Sequence, residues 1–354
     1  MEGQPVKGKM SVKTFVNNIL VGHAIGIVAG LVPSALLGEI CKALQNQLPV
    51  FGTIYQLVTA YMIAVPLLIG AACAFKFGMK PIPMVCAAAA AFIGSGALEF
   101  TPNGVLVHGM GDLVNTLVTI SLTCGLILLI DGRLGSFEPL LMPPIVSVIG
   151  GGMGVIAYPF VHAITVGIGR VVDSFFVLQP IPMAILVAAS FSVIMISPVS
   201  TVAIATAISM SDLASGAGNL GCVAAAVGMF VGGLRINPMG LSLSIVLGTP
   251  KIMIGALVRN PRIAIPIMLN AAVLGIFGVL FDIKGTPISA GFGFSGLVGP
   301  INAIQFMEGG ATAVNFLILV LVYLVIAFAG GFFFEWFCRR VLHLYKAEDY
   351  GADA

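Results

Sequence analysis

The stretch GGLRINPMGLSLSIVLGTPK, residues 232–251, interrupts a very apolar part of the chain with Arg235, Asn237 and Pro238. Proline lacks a backbone donor and ends or kinks a helix, so we expect one helix to finish before it and another to begin after it. A charge between two apolar runs of this length is typical of the end of a membrane span. The stretch therefore predicts two consecutive membrane helices.

The composition extends this prediction to the whole chain. Of the 354 residues, 59% are hydrophobic and 8% are charged, whereas ordinary soluble domains have roughly 25% charged residues. Apolar runs long enough to span a bilayer recur from Phe15 to Trp336. These features exclude a soluble globular protein and predict an all-α polytopic membrane protein that is embedded in a lipid bilayer.

The apolar runs predict ten transmembrane helices, with both termini on one side of the membrane. They lie near residues 15–37, 53–75, 81–97, 113–130, 144–168, 181–208, 218–234, 239–257, 263–281 and 313–336. Residues 286–310 contain too much glycine and proline for a continuous span. We expect a re-entrant or broken helix there, because irregular backbone at membrane depth must be buried in protein or line a cavity.

Basic residues orient the predicted spans, because cytoplasmic loops are enriched in lysine and arginine. The side that carries the termini has Lys7, Lys9, Lys13, Lys76, Lys80, Arg133, Arg259, Arg262, Arg339, Arg340 and Lys346. The other side has Lys42, Arg170, Arg235, Lys251 and Lys284. We therefore expect residues 1–14 and the tail 339–354 to be cytoplasmic, and Arg235 to lie on the opposite face.

The chain also divides into two halves of five predicted spans, residues 15–169 and 170–338. FKFGMKPIPM at 75–84 and LRINPMGLSL at 234–243 each place a basic residue and a proline before the next span. Because five is odd, two similar halves would insert with opposite orientation, as in many secondary transporters. This pattern predicts an inverted repeat.

Intramembrane ionisable groups are functional candidates, because a charge at bilayer depth is costly. We interpret Arg235 and Asn237 as ligand-binding residues, since a guanidinium offers a fixed set of donors to an anionic or hydroxyl-rich ligand. The alternative for Arg235 is an interfacial side chain that reaches the lipid headgroups. Glu99, in GSGALEFTPNG at 94–104, is a candidate acceptor for sugar hydroxyls, or else a loop charge.

A second group lies in VHGMGDLVN at 107–115, where His108, Asp112 and Asn115 are spaced by four and three residues. This spacing would align them on one helical face, where they could support binding or proton coupling. Asp112 could instead only cap the helix that follows.

The segment GPINAIQFMEGG contains Asn302, Gln305 and Glu308 just before the last predicted span. Their amide and carboxylate groups can hydrogen-bond sugar hydroxyls, and a broken helix adds free backbone groups. The alternative is that they are polar residues of an ordinary loop. We therefore expect Glu99, Arg235, Asn237, Asn302, Gln305 and Glu308 to converge on a solute.

Motifs for catalysis or cofactor binding are absent from the sequence. There is no phosphate-binding loop, no nucleophile elbow, no dinucleotide fingerprint and no basic tract for nucleic acid. The six cysteines are scattered without metal-ligand spacing. The sequence thus predicts no catalytic residues, no cofactor and no metal.

The runs at 219–266, beginning NLGCVAAAVGMFVGGLRINP, and at 291–304, GFGFSGLVGPINAI, resemble enzyme IIC-like permeases of the bacterial sugar phosphotransferase system. The resemblance is strongest to the branch that includes the perfringolysin regulator. It implies a dimeric inner-membrane permease for a sugar-like solute, with separate IIA and IIB proteins carrying out any phosphorylation. The Gly-x-Thr-Glu-Pro motif of glucose-type permeases is missing, and residues 1–354 contain no stretch that resembles a IIA or IIB domain.

These observations favour a IIC-type permease that moves a sugar or sugar-like solute by alternating access and is not itself an enzyme. Two alternatives remain at this stage. One is an ion-coupled transporter of an organic anion or vitamin, which an arginine in the site would suit. The other is a membrane sensor that keeps the permease fold and acts through a cytoplasmic partner.

Overall fold

The computed structural model of the chain describes residues 10–352. The predicted cytoplasmic N-terminus, with Lys7 and Lys9, falls largely outside this range, as do the last two residues of the predicted tail. The described chain is almost entirely helical, apart from one short β-hairpin.

Six helices in the described residues are long and apolar enough to cross a membrane: Val12–Leu31, Leu113–Ile130, Gly135–Val177, Asp212–Gly233, Pro261–Leu280 and Ala313–Val341. The pair Pro49–Ile63 and Val65–Lys76, bent by 48°, makes a seventh if it counts as one span. The chain is therefore a multi-pass helical membrane protein. The number of long helices differs from the ten predicted because several apolar runs form short or broken helices.

Contacts divide the chain into two compact units. The first, among described residues, comprises 10–34 and 53–164. Its elements are α1 (Val12–Leu44, of which the first part belongs here), α2 (Pro49–Ile63, of which residues 53–63 belong here), α3 (Val65–Lys76), α4 (Pro81–Gly94), β1 (Leu98–Thr101), β2 (Gly104–Val107), α5 (Leu113–Ile130), α6 (Glu138–Ile145) and α7 (Gly152–Asp173, beginning here). A π-helical stretch, Val146–Gly151, joins α6 to α7.

Close helix packing builds the core of the first unit. Gly22 and Gly26 on α1 face Cys73 and Ile69 on α3 so closely that a Cβ on either glycine would overlap backbone atoms. Small residues allow helices to approach in this way, which increases van der Waals contact in a membrane. The hairpin of β1 and β2 follows α4, and its residues are largely exposed.

The second unit comprises residues 35–52 and 165–352. Its helices are α8 (Pro180–Ile196), α9 (Thr201–Ala207), α10 (Asp212–Gly233), α11 (Met239–Leu247), α12 (Ile254–Arg259), α13 (Ala264–Leu280), α14 (Val298–Phe306), α15 (Ala313–Leu319) and α16 (Ala327–Trp336). A π-helical stretch, Val320–Ile326, joins α15 to α16. Helix α10 is the centre of this unit, since nearly all of its side chains are buried.

The two ends of α10 define two ends of the second unit. Just beyond its last turn, which ends at Gly233, Asn237 donates to Tyr350 O at 3.0 Å and accepts from Ala352 N at 3.0 Å. We call this the tail end. At its first turn, Asp212 O accepts from Gly285 N at 3.2 Å, and we call this the far end. Arg235 therefore lies on the same end as the C-terminal tail, so the prediction that it lies on the opposite face is wrong.

Candidate functional site

Helices α8 and α9 form the first of three interrupted segments in the second unit (segment 1). The chain leaves the helix at Ser197 because Pro198 follows, and Ser200 Oγ then caps α9 by accepting from Ala203 N at 3.2 Å. Met183, in the first turn of α8, and Ile208, after α9, line one cavity with Asp212. Segment 1 thus begins and ends at the far end of the second unit. The predicted span 181–208 is therefore not a single membrane crossing.

Helices α11 and α12 form segment 2, which begins and ends at the tail end. Asn237 precedes it, and Asn260, just after it, donates to Asp349 Oδ2 at 2.9 Å. The turn between the helices is built by Gly248, Thr249 and Pro250, with Thr249 Oγ1 accepting from Lys251 N. The predicted span 239–257 is therefore a re-entrant hairpin, and Lys251 at its turn is buried rather than in a surface loop.

Residues 286–306 form segment 3, where the predicted broken helix is confirmed. Short 3₁₀ turns lead into α14, and Thr286 Oγ1 donates to Asn302 Oδ1 at 3.2 Å, which joins the start of the segment to its return. The backbone of Gly293 lies against Cys222 on α10, and its φ of +60° suits glycine. Segment 3 starts beside Gly285 and therefore belongs to the far end.

The turns of the three segments meet in what we call the tip cluster: residues 197–201, 248–251 and 289–295. Lys251 Nζ donates to Ser197 O at 2.6 Å and to Val199 O at 2.7 Å. Thr201 Oγ1 donates to Gly291 O at 2.8 Å, and Ser295 Oγ donates to Gly248 O. Each of these hydrogen bonds joins two different segments.

The tip cluster lies half-way along α10. Cys222, the eleventh residue of this 22-residue helix, donates from Sγ to Ala290 O at 3.5 Å. Asn219, one turn earlier, donates from Nδ2 to Ser289 O at 2.6 Å and accepts from Tyr323 OH at 3.0 Å. At 1.5 Å rise per residue, the cluster is about 16 Å from either end of α10.

Lys251 is the main charge of the cluster, with only 5% of its surface exposed. Among the described residues, the other buried charged side chain is Glu335, which pairs with Arg339 and accepts from Tyr345 OH. Lys251 has no carboxylate partner in the described chain, and its ammonium is held by backbone carbonyl dipoles instead. A cation held in this way at bilayer depth is typical of a functional position.

The predicted residues of the first unit fall into two kinds of environment. Glu99 Oε2 and His108 Nε2 are paired at 2.6 Å on the exposed hairpin, where their side chains are 57% and 59% exposed. Asp112 caps α5 by accepting from Val114 N and Asn115 N. His108 precedes α5 and does not share a helical face with these residues, so that part of the prediction is wrong. Gly109 and Gly111, both with positive φ, turn the chain between them.

Asn115 is fully buried and fixes helices of the first unit to each other. Its Nδ2 donates to Gly94 O on α4 and to Gly154 O on α7, the latter at 3.0 Å. These bonds make Asn115 a structural residue of this unit.

The predicted residues of the second unit separate into two groups. Arg235 is exposed and Asn237 holds the tail, both at the tail end. Asn302 binds Thr286, and Gln305 lines a largely apolar cavity of about 680 Å³ beside Tyr323.

Glu308 is exposed in the loop after α14, and its backbone oxygen accepts from Asn315. Gly299, which opens α14, lies against Asn219, 14 residues before the end of α10. That separation is about 21 Å along the helix. The expected convergence of Arg235 and Asn237 with the other predicted residues of this unit is therefore wrong.

Lys251 and Asn219 are not among the site residues predicted from the sequence. Lys251 follows Gly-Thr-Pro within an apolar run, and this turn signature inside a predicted span could have identified a re-entrant hairpin. The described residues contain no group of histidine, cysteine, aspartate and glutamate side chains arranged to hold a metal ion.

A protein-family model matches residues 17–352 of the chain. The matching model is described as "Phosphotransferase system, EIIC". The chain belongs to the phosphotransferase system EIIC family. Comparisons with curated proteins and with solved structures find no significant match. As an EIIC protein, the chain is of the type that forms the membrane transport component of the phosphotransferase system, in agreement with its apolar helices.

Proposed function

We propose that this EIIC protein is a permease that moves a sugar or sugar-like solute by alternating access through the tip cluster of its second unit. The observation that carries the proposal is the meeting of three interrupted segments half-way along α10, where backbone and polar side chains are available at membrane depth. Discontinuous helices near the bilayer midplane form the binding sites of many secondary transporters.

The hydrogen bonds between the three segments suggest how the site would open. Segments 1 and 3 enter from the far end, whereas segment 2 enters from the tail end. The bonds of Lys251 to Ser197 O and Val199 O, and of Ser295 to Gly248 O, therefore connect elements from opposite ends. Access to the cluster from one end would require these bonds to break, and a solute with several hydroxyl groups can replace them.

The basic residues of the second unit support a cytoplasmic tail end. Six lie there: Arg235, Arg259, Arg262, Arg339, Arg340 and Lys346. Of the other basic residues after position 164, Arg170 and Lys284 lie toward the far end, and Lys251 is in the tip cluster. By the positive-inside rule, the tail end faces the cytoplasm and the far end faces outward. Separate IIA and IIB proteins would then meet the tail end, and a homodimer in the bacterial inner membrane remains our expectation.

The predicted residues take different roles in this proposal. Asn302 and Gln305, on segment 3, remain candidates for solute contact, together with Asn219 and Lys251. Arg235 and Asn237 would act at the cytoplasmic end of the path. Glu99 and His108 stay predictions for a supporting or proton-coupling role, and Asp112 and Asn115 are better explained by the helices that they hold.

Two-sided labelling tests alternating access. Ser295 is buried in the tip cluster, so Ser295→Cys in a Cys222→Ala background places one thiol there, while the other native cysteines are also buried. A small impermeant thiol reagent should reach this cysteine from either side of a vesicle, and a transported sugar should slow the reaction. The Cys222→Ala protein alone is the control. Reaction from one side only, or no effect of any sugar that the protein takes up, would contradict the proposal.

One observation favours a second candidate, the transport of an anionic solute such as an organic acid or vitamin. The buried Lys251 has no carboxylate partner in the described chain and could pair with a negative solute. Uptake into proteoliposomes that depends on a proton or sodium gradient and needs no phosphoenolpyruvate chain would select this function over sugar transport.

A further inference from the structure

We propose a second solute site in this protein, at the far end of the second unit, for a polyhydroxylated solute of monosaccharide size. The inference rests on the proposed function and adds to it a site that is separate from the tip cluster. The site is a cavity of about 340 Å³ between the start of α8, the end of α9 and the start of α10. We call it the outer cavity. Its volume is near the lower limit of ligand pockets, about 300 Å³, which suits a small solute.

The lining of the outer cavity combines hydrogen-bonding groups with an aromatic ring. Asp212, Ser209, Ser211 and Lys284 supply the polar groups, and Phe176 supplies an apolar face. Lys284 donates to Asp282 at 2.7 Å, which leaves two ammonium protons for other acceptors. A sugar presents both hydroxyl groups and an apolar ring face, so this set of side chains matches its chemistry.

Two polar side chains of the lining are without partners in the described chain. The Asp212 carboxylate makes no hydrogen bond or ion pair with described residues, and Ser211, although it precedes α10 as the N-cap residue, makes no capping bond. Asp212 can only accept, whereas Ser211 can donate and accept. Both side chains are exposed, so a solute would replace the water that hydrates them and would not have to break a hydrogen bond within the protein.

The backbone at the outer cavity is held in an uncommon conformation. Ser209 and Asp212 both have φ of +49°, in the left-handed region that non-glycine residues seldom adopt. The bond from Gly285 N to Asp212 O and the bond from Ser215 Oγ to Met210 O hold this turn in place. Strain of this kind persists where the surrounding structure maintains it, and it is concentrated at functional sites.

The position of the outer cavity relates it to the transport path. Asp212 precedes Cys222 by ten residues of α10, so the cavity is about 15 Å along the helix from the tip cluster. Helix α9 connects the two places, since Thr201 at its start binds Gly291 and Ile208 beyond its end lines the cavity. We assign the outer cavity as a loading site that a solute occupies before it reaches the tip cluster.

A protection experiment tests this site in the full-length protein in membrane vesicles. Ser211→Cys places an accessible thiol in the lining and removes no capping bond, while the native cysteines are buried. Glucose, galactose, mannose and fructose are the probes, and an impermeant maleimide is added from outside. We expect at least one sugar to slow labelling of this cysteine. Asp173→Cys, which is exposed and outside the lining, is the matched control and should be labelled at an unchanged rate.

A second variant tests the role of Asp212. Asparagine also tolerates positive φ, so Asp212→Asn keeps the turn and the size of the side chain while it removes the charge. In the Ser211→Cys protein, we expect the sugar concentration for half protection to rise about tenfold, which corresponds to the loss of about one charged hydrogen bond. Asp173→Asn should leave that concentration unchanged.

The possible outcomes test the outer cavity and the proposed permease function separately. Normal uptake of a sugar that neither slows labelling of the Ser211→Cys protein nor responds to Asp212→Asn would overturn the outer cavity and leave the permease intact. Protection without any uptake would support the outer cavity and contradict the permease. Absence of both protection and uptake for every sugar would overturn both.

Discussion

The two units each bury an asparagine against backbone carbonyls, but they do so for different purposes. Asn115 in the first unit bonds to Gly94 and Gly154, which both belong to helices. Asn219 in the second unit bonds to Ser289 and Tyr323, and Ser289 lies in a segment without a continuous helix. The first arrangement joins continuous helices, whereas the second holds a segment of short 3₁₀ turns. We infer that the first unit is scaffold and the second contains the moving site.

If the second unit contains the transport site, the largest effect on sugar uptake is expected for Asn219→Ala. Loss of the bonds to Ser289 O and Tyr323 OH leaves buried groups unpaired beside the tip cluster, at about 1 to 3 kcal/mol for each group. We expect sugar uptake to fall at least about tenfold while the protein still inserts and folds. Initial uptake rates, normalised to the amount of folded protein from size-exclusion chromatography, measure this. Unchanged uptake would place the transport path elsewhere.

Asn115→Ala should give the opposite pattern. Gly94 O and Gly154 O would lose their donor, so we expect stability to fall by about 1 to 3 kcal/mol, with near-normal uptake by the protein that remains folded. Thermal unfolding in detergent gives the first quantity and vesicle uptake the second. A tenfold loss of uptake without a loss of stability would show that the first unit takes part in transport directly.

A smaller effect is expected at the tail end from Asn237→Ala. Its two bonds to Tyr350 O and Ala352 N hold the tail, and their loss should release it at a cost of about 1 to 2 kcal/mol. Hydrogen exchange of residues 344–352 should increase, while uptake falls less than about twofold. Arg235→Ala, an exposed neighbour without a bond to the described tail, is the control and should leave exchange unchanged.

The smallest effect is expected for Glu99→Gln on the hairpin of the first unit. Its pair with His108 is more than half exposed, and exposed pairs contribute about 0 to 1 kcal/mol. We therefore expect little change in thermal stability. A large loss of uptake in this variant would instead support the proton-coupling role predicted from the sequence.

Continuous helices could be predicted from the sequence because hydropathy and length are local properties. The predicted span 113–130 coincides with α5, and the predicted span 263–281 closely matches α13. Hydropathy cannot distinguish a crossing helix from a re-entrant hairpin of the same length, so the apolar run at 239–257 predicts a span that the structure does not contain. What decides its path is the bond between Lys251 and carbonyls about 50 residues earlier in the chain, which no local pattern contains.

The candidate site was less predictable for the same reason. Isolated polar residues such as Arg235 and Glu99 are conspicuous in an apolar sequence, but the structure exposes both of them. Serine, threonine and backbone carbonyls form much of the tip cluster, and these groups are common in any membrane helix. The prediction of a broken helix near 286–310 was correct because glycine and proline mark irregular backbone locally.

The role of Lys251 is the most direct test of the tip cluster. Lys251→Met keeps a long unbranched side chain but removes the ammonium that joins segments 1 and 2. Lys346→Met, at an exposed position, is the control. Uptake of the best sugar from a panel should be measured in vesicles that contain equal amounts of folded protein. Our account predicts loss of nearly all uptake in Lys251→Met and normal uptake in Lys346→Met. Normal uptake in Lys251→Met would contradict the tip cluster as the transport site.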